Sequence, residues 1–207
     1  MKTIALFRRR PHLTRDQFRE YYEGTHAPLA ARHAPFKKYT RNHLVSPDEV
    51  GFDALTEFWR DTPVPGPSPV KSATQLDGDR FIDDHRLYAS AEERLIAGAP
   101  REVEPGPVRR YALMLTRPPE IAEAAFITFV NNWALRLFAG NSLTRVTLDI
   151  VHPFPGGTFP ADAIVSLWPN ERFDDNSLGA APAVIALAGI VTLEVYETPS
   201  AMLKAAQ

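Results

Sequence analysis

The feature that most constrains the fold is an internal repeat, because three short segments of the first half recur in the same order in the second half. Ile4-Ala5-Leu6 with Arg10-Pro11 recurs as Tyr111-Ala112-Leu113 with Arg117-Pro118, at an offset of 107 residues. Thr40-Arg41 recurs as Thr144-Arg145 at an offset of 104, and Asp53-Ala54-Leu55 with Trp59 recurs as Asp162-Ala163-Ile164 with Trp168 at an offset of 109. Collinear matches of this kind indicate a duplicated unit of roughly 100 residues.

Each unit has the pattern strand, helix, strand, strand, helix, strand. Residues 2–9 predict a strand, and Thr14 with Gln17 predicts a capping box at the start of a helix. That helix should end or kink near His26, because Pro28 disfavours helical geometry in the preceding residue. Two strands (38–45 and 52–60), a helix (70–86) and a strand (88–96) complete the first unit, with a hairpin loop at 46–51 and a proline-rich loop at 60–70.

The order βαββαβ predicts a ferredoxin-like unit, an antiparallel sheet with both helices on one face. The other face must be covered, and packing the two sheets face to face within one chain would produce an α/β barrel. We therefore expect an α+β protein with one unit at 1–98, a linker at 99–107 and a second unit at 108–207. The space between the sheets is the expected pocket, although side chains could instead fill it.

Composition excludes several classes of protein. The formal net charge is −2, which argues against a nucleic-acid or membrane-surface partner. There is no cysteine, so disulfides, thiolate nucleophiles and sulfur-ligated metals are excluded. The apolar segment 178–193 is shorter than the roughly 20 residues of a spanning helix and predicts a buried helix followed by a strand. Arg8–Arg10 directly follow the first strand residues where a secretory signal would be apolar, so we expect a cytoplasmic protein.

Strand alternation predicts which side chains face the pocket. In the second unit Arg145, Thr147 and Asp149 alternate with Val146, Leu148 and Ile150, so the polar set should face the space between the sheets. By the repeat, Arg145 corresponds to Arg41 and Thr147 to His43, so Tyr39, Arg41 and His43 should face the pocket in the first unit. On the next strand a second set shares one face, which we also expect to line the pocket: Asp53, Leu55, Glu57 and Trp59, repeated as Asp162, Ile164, Ser166 and Trp168.

Two further residues allow two interpretations each. His26 is either a core histidine or an acid or base at a helix C-terminus, where the helix dipole would raise its pKa. Asp83 either belongs to a surface charge cluster or orients a histidine. No spacing typical of a metal site, a phosphate loop or a dinucleotide fingerprint is present.

Residues 2–96 resemble the EthD family of the dimeric α/β-barrel superfamily. The resemblance rests on Arg9-Arg10-Pro11, Phe18-Arg19-Glu20-Tyr21-Tyr22-Glu23, His26-Ala27-Pro28-Leu29, Arg41-Asn42-His43 and Glu57-Phe58-Trp59. It implies a barrel that is usually formed by two subunits, and functional roles for His26, Tyr39, His43, Asp53, Glu57 and Asp83. The second half lacks both histidines, having Ala134 and Thr147 in the aligned positions, and resembles a degenerate copy.

The function expected from these residues is a cofactor-independent lyase or cyclase of an aromatic or polyketide-like small molecule. His43 would be the base, Glu57 or Asp53 would fix its tautomer, and His26 or Tyr39 would donate a proton. Arg41 would bind a carboxylate or enolate, and the remaining predicted substrate contacts are Leu55, Trp59, Asp83, Ile164 and Trp168. Neither a cofactor nor a metal is expected, and a homodimer is left open. The alternatives are a cofactor-free monooxygenase of a phenolic substrate and a non-catalytic protein that binds an aromatic ligand or haem.

Overall fold

The computed structural model describes residues 1–45, 50–61, 72–100, 108–174, 178 and 186–203. The loops expected at 46–51 and 60–70, the linker at 99–107 and the helix expected within 178–185 lie wholly or mainly outside these residues. The described elements, in chain order, are β1 (Lys2–Arg9), α1 (Arg15–Tyr21), a π-helical turn (Tyr22–His26), α2 (Ala27–His33), β2 (Lys38–Leu44), β3 (Ala54–Trp59), α3 (Ala73–Phe81), β4 (Ile82–Gly98), β5 (Val108–Thr116), α4 (Glu123–Gly140), β6 (Leu143–Pro153), β7 (Ala163–Pro169), β8 (Ala186–Thr198) and α5 (Ser200–Leu203).

The eight strands form one closed antiparallel barrel in the order β1-β3-β2-β8-β5-β7-β6-β4. Each half contributes four consecutive strands in this circle, β4-β1-β3-β2 from the first and β8-β5-β7-β6 from the second. The halves join edge to edge, β2 with β8 and β4 with β6. The predicted fold class, an intrachain α/β barrel of two ferredoxin-like sheets, is confirmed. Closure leaves no unpaired sheet edge in the barrel.

The helix starts follow the sequence closely. Thr14 caps α1 in a full capping box with Gln17, and Ser72 caps α3 in the same way with Gln75. The regular α-helix is interrupted near His26, as expected, but the helical path does not end there. The chain passes through the π-helical turn and continues as α2, with Pro28 in its first turn. Proline is tolerated there because the first turn of a helix lacks intrahelical acceptors for its N–H groups. The second helix is also shorter than expected, ending at Phe81.

Two apolar layers lie between the barrel and its helices. In the first half α1, α2 and α3 cover the outward side chains of β1 and β3, including Ala5, Phe7 and Ala54. In the second half α4 covers Val146, Leu148 and Ile150, which confirms the predicted orientation of β6. None of the described helices is both long and apolar enough to cross a membrane.

The interior of the barrel is filled by side chains, as the alternative prediction allowed. Towards one end it is apolar and contains, among others, Ile4, Leu6, Leu55, Met114 and Ile164. At the end where β1 begins it is charged, and the cavity found there has a volume of only about 20 Å³. The interior is therefore not the substrate pocket that the packing of two sheets suggested.

The charged end is organised around the ammonium group of Lys2. Its Nζ lies 2.7 Å from Glu57 Oε1, 2.6 Å from Glu93 Oε2 and 2.7 Å from Asp149 Oδ1. Burial alone would lower the pKa of Lys2, but the three carboxylates outweigh it and raise the pKa. Arg110 binds the other oxygen of Glu57 at 2.6 Å. Because Lys2 and Glu57 come from the first half and Arg110 and Asp149 from the second, these ion pairs connect the two halves.

We expect Lys2→Met to destabilise the protein by about 3–5 kcal/mol, because it removes the cation that binds both oxygens of the buried Asp149 and one of the two cations that bind the buried Glu57. The measurement is the free energy of unfolding in urea at pH 7. Lys37→Met is the matched control, since Lys37 forms an exposed ion pair with Asp61, and its loss should cost less than about 1 kcal/mol. Equal effects of the two substitutions would contradict the prediction.

The pKa of Asp149 adds a pH dependence with a definite sign. Burial and the neighbouring carboxylates Glu57 and Glu93 raise this pKa from 3.8 to about 6, despite the opposing effect of Lys2. A raised pKa favours folding at low pH, and that contribution is lost as the pH rises from about 4 to about 6. The unfolding free energy of the wild type should therefore fall, relative to Asp149→Asn, over this range. A constant difference between the two proteins would refute the assignment.

Candidate active site

The predicted orientation of β2 is wrong, because Tyr39, Arg41 and His43 face the helices and not the barrel interior. Tyr39 stacks on Phe58 with ring centroids 5.4 Å apart, within the apolar layer beneath the helices. The ring of His43 packs on Phe18 of α1. The residues between them, Thr40 and Asn42, point inward. Asn42 donates to Glu57 at the charged end of the barrel.

The cause is an alignment of the repeat that is three residues out of register. The hairpins pair Thr40 with Glu57 in the first half and Thr147 with Ser166 in the second. Because Glu57 and Ser166 are equivalent by the third match of the repeat, Thr40 corresponds to Thr147. An error of three, like any odd number, moves every side chain of a strand to the opposite face. The true counterparts of Tyr39, Arg41 and His43 are Val146, Leu148 and Ile150.

The central contact of the site joins β2 to the π-helical turn. The Nε2 N–H of His43 donates to Glu23 Oε1 at 2.6 Å, and Arg41 binds the same carboxylate through Nη2 at 2.6 Å and Nε at 3.1 Å. Burial alone would raise the pKa of Glu23, but hydrogen bonds from His43 and Arg41 lower it. An ionised carboxylate only accepts hydrogen bonds, so the pairing places the imidazole hydrogen on Nε2.

The other ring nitrogen of His43 is available as a base. Nδ1 is buried and has no hydrogen-bond partner among the described residues. Aromatic rings fix the imidazole from three sides, with Tyr22 and Tyr196 centroids at 5.4 Å and Phe18 at 6.1 Å. An imidazole that is held at Nε2 by a carboxylate and has no hydrogen-bond partner on Nδ1 has the arrangement of a general base.

A cavity of about 250 Å³ adjoins this histidine. It is lined by apolar side chains and by the polar rim of α1, namely Arg15, Asp16, Phe18, Arg19, His43, Leu44, Val45 and Asp53. A second cavity of about 260 Å³ shares Arg15 and Asp53 with it. The volume of each cavity is near the lower limit for small-molecule sites. We take His43, Glu23 and this cavity as the candidate active site.

His26 belongs to a separate buried pair. Its Nδ1 lies 2.9 Å from Asp77 Oδ2, and Tyr21 donates to the other oxygen of Asp77 at 2.8 Å. Burial lowers the pKa of His26 despite the opposing effect of Asp77, so the expected rise at a helix C-terminus is wrong. The physical reason is that the helical path does not end at His26 but continues into α2, which removes the dipole end. Of the two interpretations of His26, the buried core histidine is the one that agrees with its surroundings.

Tyr39 also lies away from the cavity lining. Its hydroxyl donates to Tyr22 at 3.3 Å, and the Tyr22 hydroxyl shares a 2.9 Å hydrogen bond with Thr56. Burial raises the pKa of both tyrosines well above the ordinary value. These phenols remain protonated at neutral pH. Arg41 uses four of its five N–H donors on Glu23, Thr198 and the carbonyl of Tyr39, and it is not among the residues that line the cavity.

The other predicted site residues are dispersed. Asp53 lines the cavity, but it accepts hydrogen bonds from the backbone and guanidinium of Arg9 and from Arg15, so it does not fix the tautomer of His43. Asp83 is at the surface beside Arg8. The remaining residues face the barrel interior, where Glu57 pairs with Lys2 and Arg110 and where the predicted ring contacts are packed: Leu55, Trp59, Ile164 and Trp168.

Two functional contacts were missed at the sequence level, those of Glu23 and Asp77. Both carboxylates lie on helical segments, where an acidic residue is usually a solvated surface group. Glu23 reaches His43 from within the π-helical turn, and five-residue turns of this kind are not visible in a pattern of period 3.6. The short segment Tyr21-Tyr22-Glu23 was therefore informative only through its family resemblance.

Comparison with known proteins agrees with this architecture. Residues 10–65 match the model of the EthD domain family, the family that the first half resembles in sequence. This range contains His43, Glu23, His26 and most of the cavity lining. No curated protein matches the sequence.

Solved structures of low sequence identity share the fold of the whole chain. An anthrone oxidase-like protein has a TM-score of 0.59 at 13% identity, covering 100% of this chain and 95% of its own. A candidate chlorite dismutase has a TM-score of 0.54 at 8% identity, covering 98% and 96%. A candidate monooxygenase from Fusobacterium nucleatum subsp. nucleatum has a TM-score of 0.51 at 11% identity, covering 95% and 91%. The chain has the dimeric α/β-barrel fold, completed within one polypeptide.

The lowered pKa of His26 can be measured directly. An NMR titration of the imidazole resonances should show His26 releasing its proton below the ordinary histidine value of 6.5, because burial disfavours the imidazolium form. The resonances are assigned by their loss in His26→Gln. In Asp77→Asn the titration should move to still lower pH, because the charge that opposes burial is removed. An imidazole that titrates above 6.5 would show that Asp77 dominates.

Proposed function

We propose that the protein is a cofactor-independent oxygenase of a phenolic aromatic substrate, with His43 as the general base. The observation that carries the proposal is the state of the imidazole. Its Nε2 is held by Glu23, while Nδ1 has no partner among the described residues, and the side chain lines a cavity. In this proposal Nδ1 takes a proton from the substrate, and Glu23 stabilises the imidazolium that forms.

The reaction that fits this arrangement oxidises a CH₂ group flanked by aromatic rings to a ketone. Removal of a proton by His43 gives an anion delocalised into the rings, which is electron-rich enough to transfer an electron to dioxygen. Dioxygen adds to the carbon as a hydroperoxide, the O–O bond then breaks, and the second C–H proton is lost. One oxygen atom remains in the product and the other leaves as water with the two hydrogens, so no external reductant is consumed.

The surroundings of His43 suit this chemistry. Phe18, Leu44 and Val45 offer apolar contacts to an aromatic ring, while Arg15 and Arg19 stand at the polar side of the cavity. The names of two fold neighbours, an anthrone oxidase-like protein and a candidate monooxygenase, also point to oxygen chemistry. Their support is at the level of fold, and the argument for a base rests on the residues of this chain.

The test uses anthrone as the probe and an oxygen electrode. His43→Gln should lower kcat by about 10²–10⁴-fold, because the proton acceptor is lost while the protein stays folded. Glu23→Gln should lower kcat less and move the acid limb of the pH–rate profile to lower pH, because the imidazolium loses its counter-ion. His85→Gln is the control, since His85 is exposed on β4 and the substitution should leave the rate unchanged.

Two results would contradict the proposal: absence of oxygen uptake by the wild type with anthrone and simple naphthols, or full activity of His43→Gln. Product formation that continues without oxygen would instead favour the lyase or cyclase, which needs the same base but no oxidant. Haem binding fits the residues less well, since His43 already bonds Glu23 through Nε2 and buries Nδ1. A Soret band on haem titration that is lost in His43→Ala would support it.

A further inference from the structure

A small cavity at the charged end of the barrel has a chemistry that the candidate active site does not use. This barrel-end cavity, about 20 Å³ in volume, is lined by residues of both halves, including Thr40, Arg110 and Trp168. It lies where β1 and β2 begin, whereas His43 lies near the end of β2. The two sites are therefore at opposite ends of the barrel.

Three side chains that line this cavity carry buried polar atoms without a hydrogen-bond partner among the described residues. The atoms are Thr40 Oγ1, Arg110 Nε and Trp168 Nε1. All three residues are more than nine-tenths buried. An arginine Nε and an indole nitrogen only donate hydrogen bonds, and a threonine hydroxyl donates as readily as it accepts. The cavity is therefore lined by residues that carry three hydrogen-bond donors without an acceptor.

The acceptors of this region are already engaged. Glu57 accepts from Lys2 through one oxygen and from Arg110 and Asn42 through the other. Both oxygens of Asp149 bind Lys2. Buried donors without acceptors are costly, so a species that only accepts hydrogen bonds would be stabilised here.

The remaining carboxylates at this end are paired as well. Glu93 binds Lys2 through Oε2 and Arg145 through Oε1, and Glu197 binds Lys38 at 3.0 Å. Two tryptophans line this cavity, and each has two cations over its ring. Lys2 and Lys38 lie over Trp59, and Arg110 and Arg145 lie over Trp168. The three donors without an acceptor are therefore surrounded by cationic groups from both halves.

We propose that the barrel-end cavity binds a single monatomic anion, a halide such as chloride. The volume has room for one particle of about the size of a water molecule, which excludes sulfate, phosphate and carboxylates. A water molecule accepts only two hydrogen bonds and requires acceptors for its own hydrogens, whereas a halide accepts from all three donors. Bound between Thr40 of the first half and Arg110 and Trp168 of the second, the anion stabilises the contact between the halves.

The first experiment is crystallographic and uses bromide as the probe. Crystals soaked in sodium bromide should show an anomalous peak within hydrogen-bond distance of Thr40 Oγ1, Arg110 Nε and Trp168 Nε1. A water molecule at this position with no anomalous signal would overturn the proposal, as would bromide that appears only on the protein surface.

The second experiment measures the melting temperature in sodium chloride against sodium gluconate at equal ionic strength. Chloride should raise the Tm of the wild type in a saturable manner, because the anion binds only the folded barrel. Thr40→Val removes one donor and keeps the shape of the side chain, and Trp168→Phe removes one donor and keeps an aromatic ring, so the apparent Kd for chloride should rise about tenfold or more in each.

Thr147→Val is the matched control, because Thr147 is the counterpart of Thr40 in the other half and does not line the cavity. It should retain the chloride response of the wild type even if its basal Tm is lower. An identical chloride response in Thr40→Val, Trp168→Phe and Thr147→Val would overturn the proposal. Neither experiment depends on His43 or on oxygen uptake, so its result is independent of the proposed catalytic function.

Discussion

Closure of the barrel is the constraint on which the rest of the structure depends. Once β2 pairs with β8 and β4 pairs with β6, eight strands enclose a space that is only wide enough for side chains. Apolar residues fill one part of it, and the ion pairs of Lys2 fill the other. The interior thus serves stability, and the proposed active site lies in the layer between the first sheet and its helices. His43 and Glu23 meet in that layer, beside the cavity at α1.

Much of the architecture could be predicted from local pattern and repetition. The duplicated segments, the strand order within each unit and the capping box of Thr14 with Gln17 are all present as expected. These predictions depend on the local sequence around each element and on the number of segments that the two halves share. They are insensitive to small errors of alignment, because a strand shifted by a few residues is still a strand.

The prediction of which face of a strand each side chain occupies is far more sensitive to an error of alignment. Matching Thr40-Arg41 to Thr144-Arg145 places β2 three residues from the register that the hairpins show, and the odd displacement reversed the orientation of His43. Glu57 and its strand, aligned by the longer match ending in Trp59 and Trp168, were placed on the correct side, as was β6, whose orientation was predicted from its own alternation. The contact of Glu23 was beyond prediction for another reason, since a π-helical turn leaves no trace in the periodicity. His43 therefore stays a predicted catalytic residue, and the structure gives it neighbours other than those expected from the sequence.

The fusion of both halves into one polypeptide has a consequence for symmetry. In a barrel assembled from two identical subunits, any residue placed under one set of helices is necessarily placed under the other. Here the positions that correspond to Tyr39, Arg41 and His43 hold Val146, Leu148 and Ile150, which pack against α4 as ordinary core. When the two halves are joined in one chain, their sequences can differ. Substitutions that favour packing in one half therefore leave the imidazole of the other half unchanged. The protein accordingly presents one imidazole centre of this kind per barrel among its described residues, where a symmetric dimer would present two.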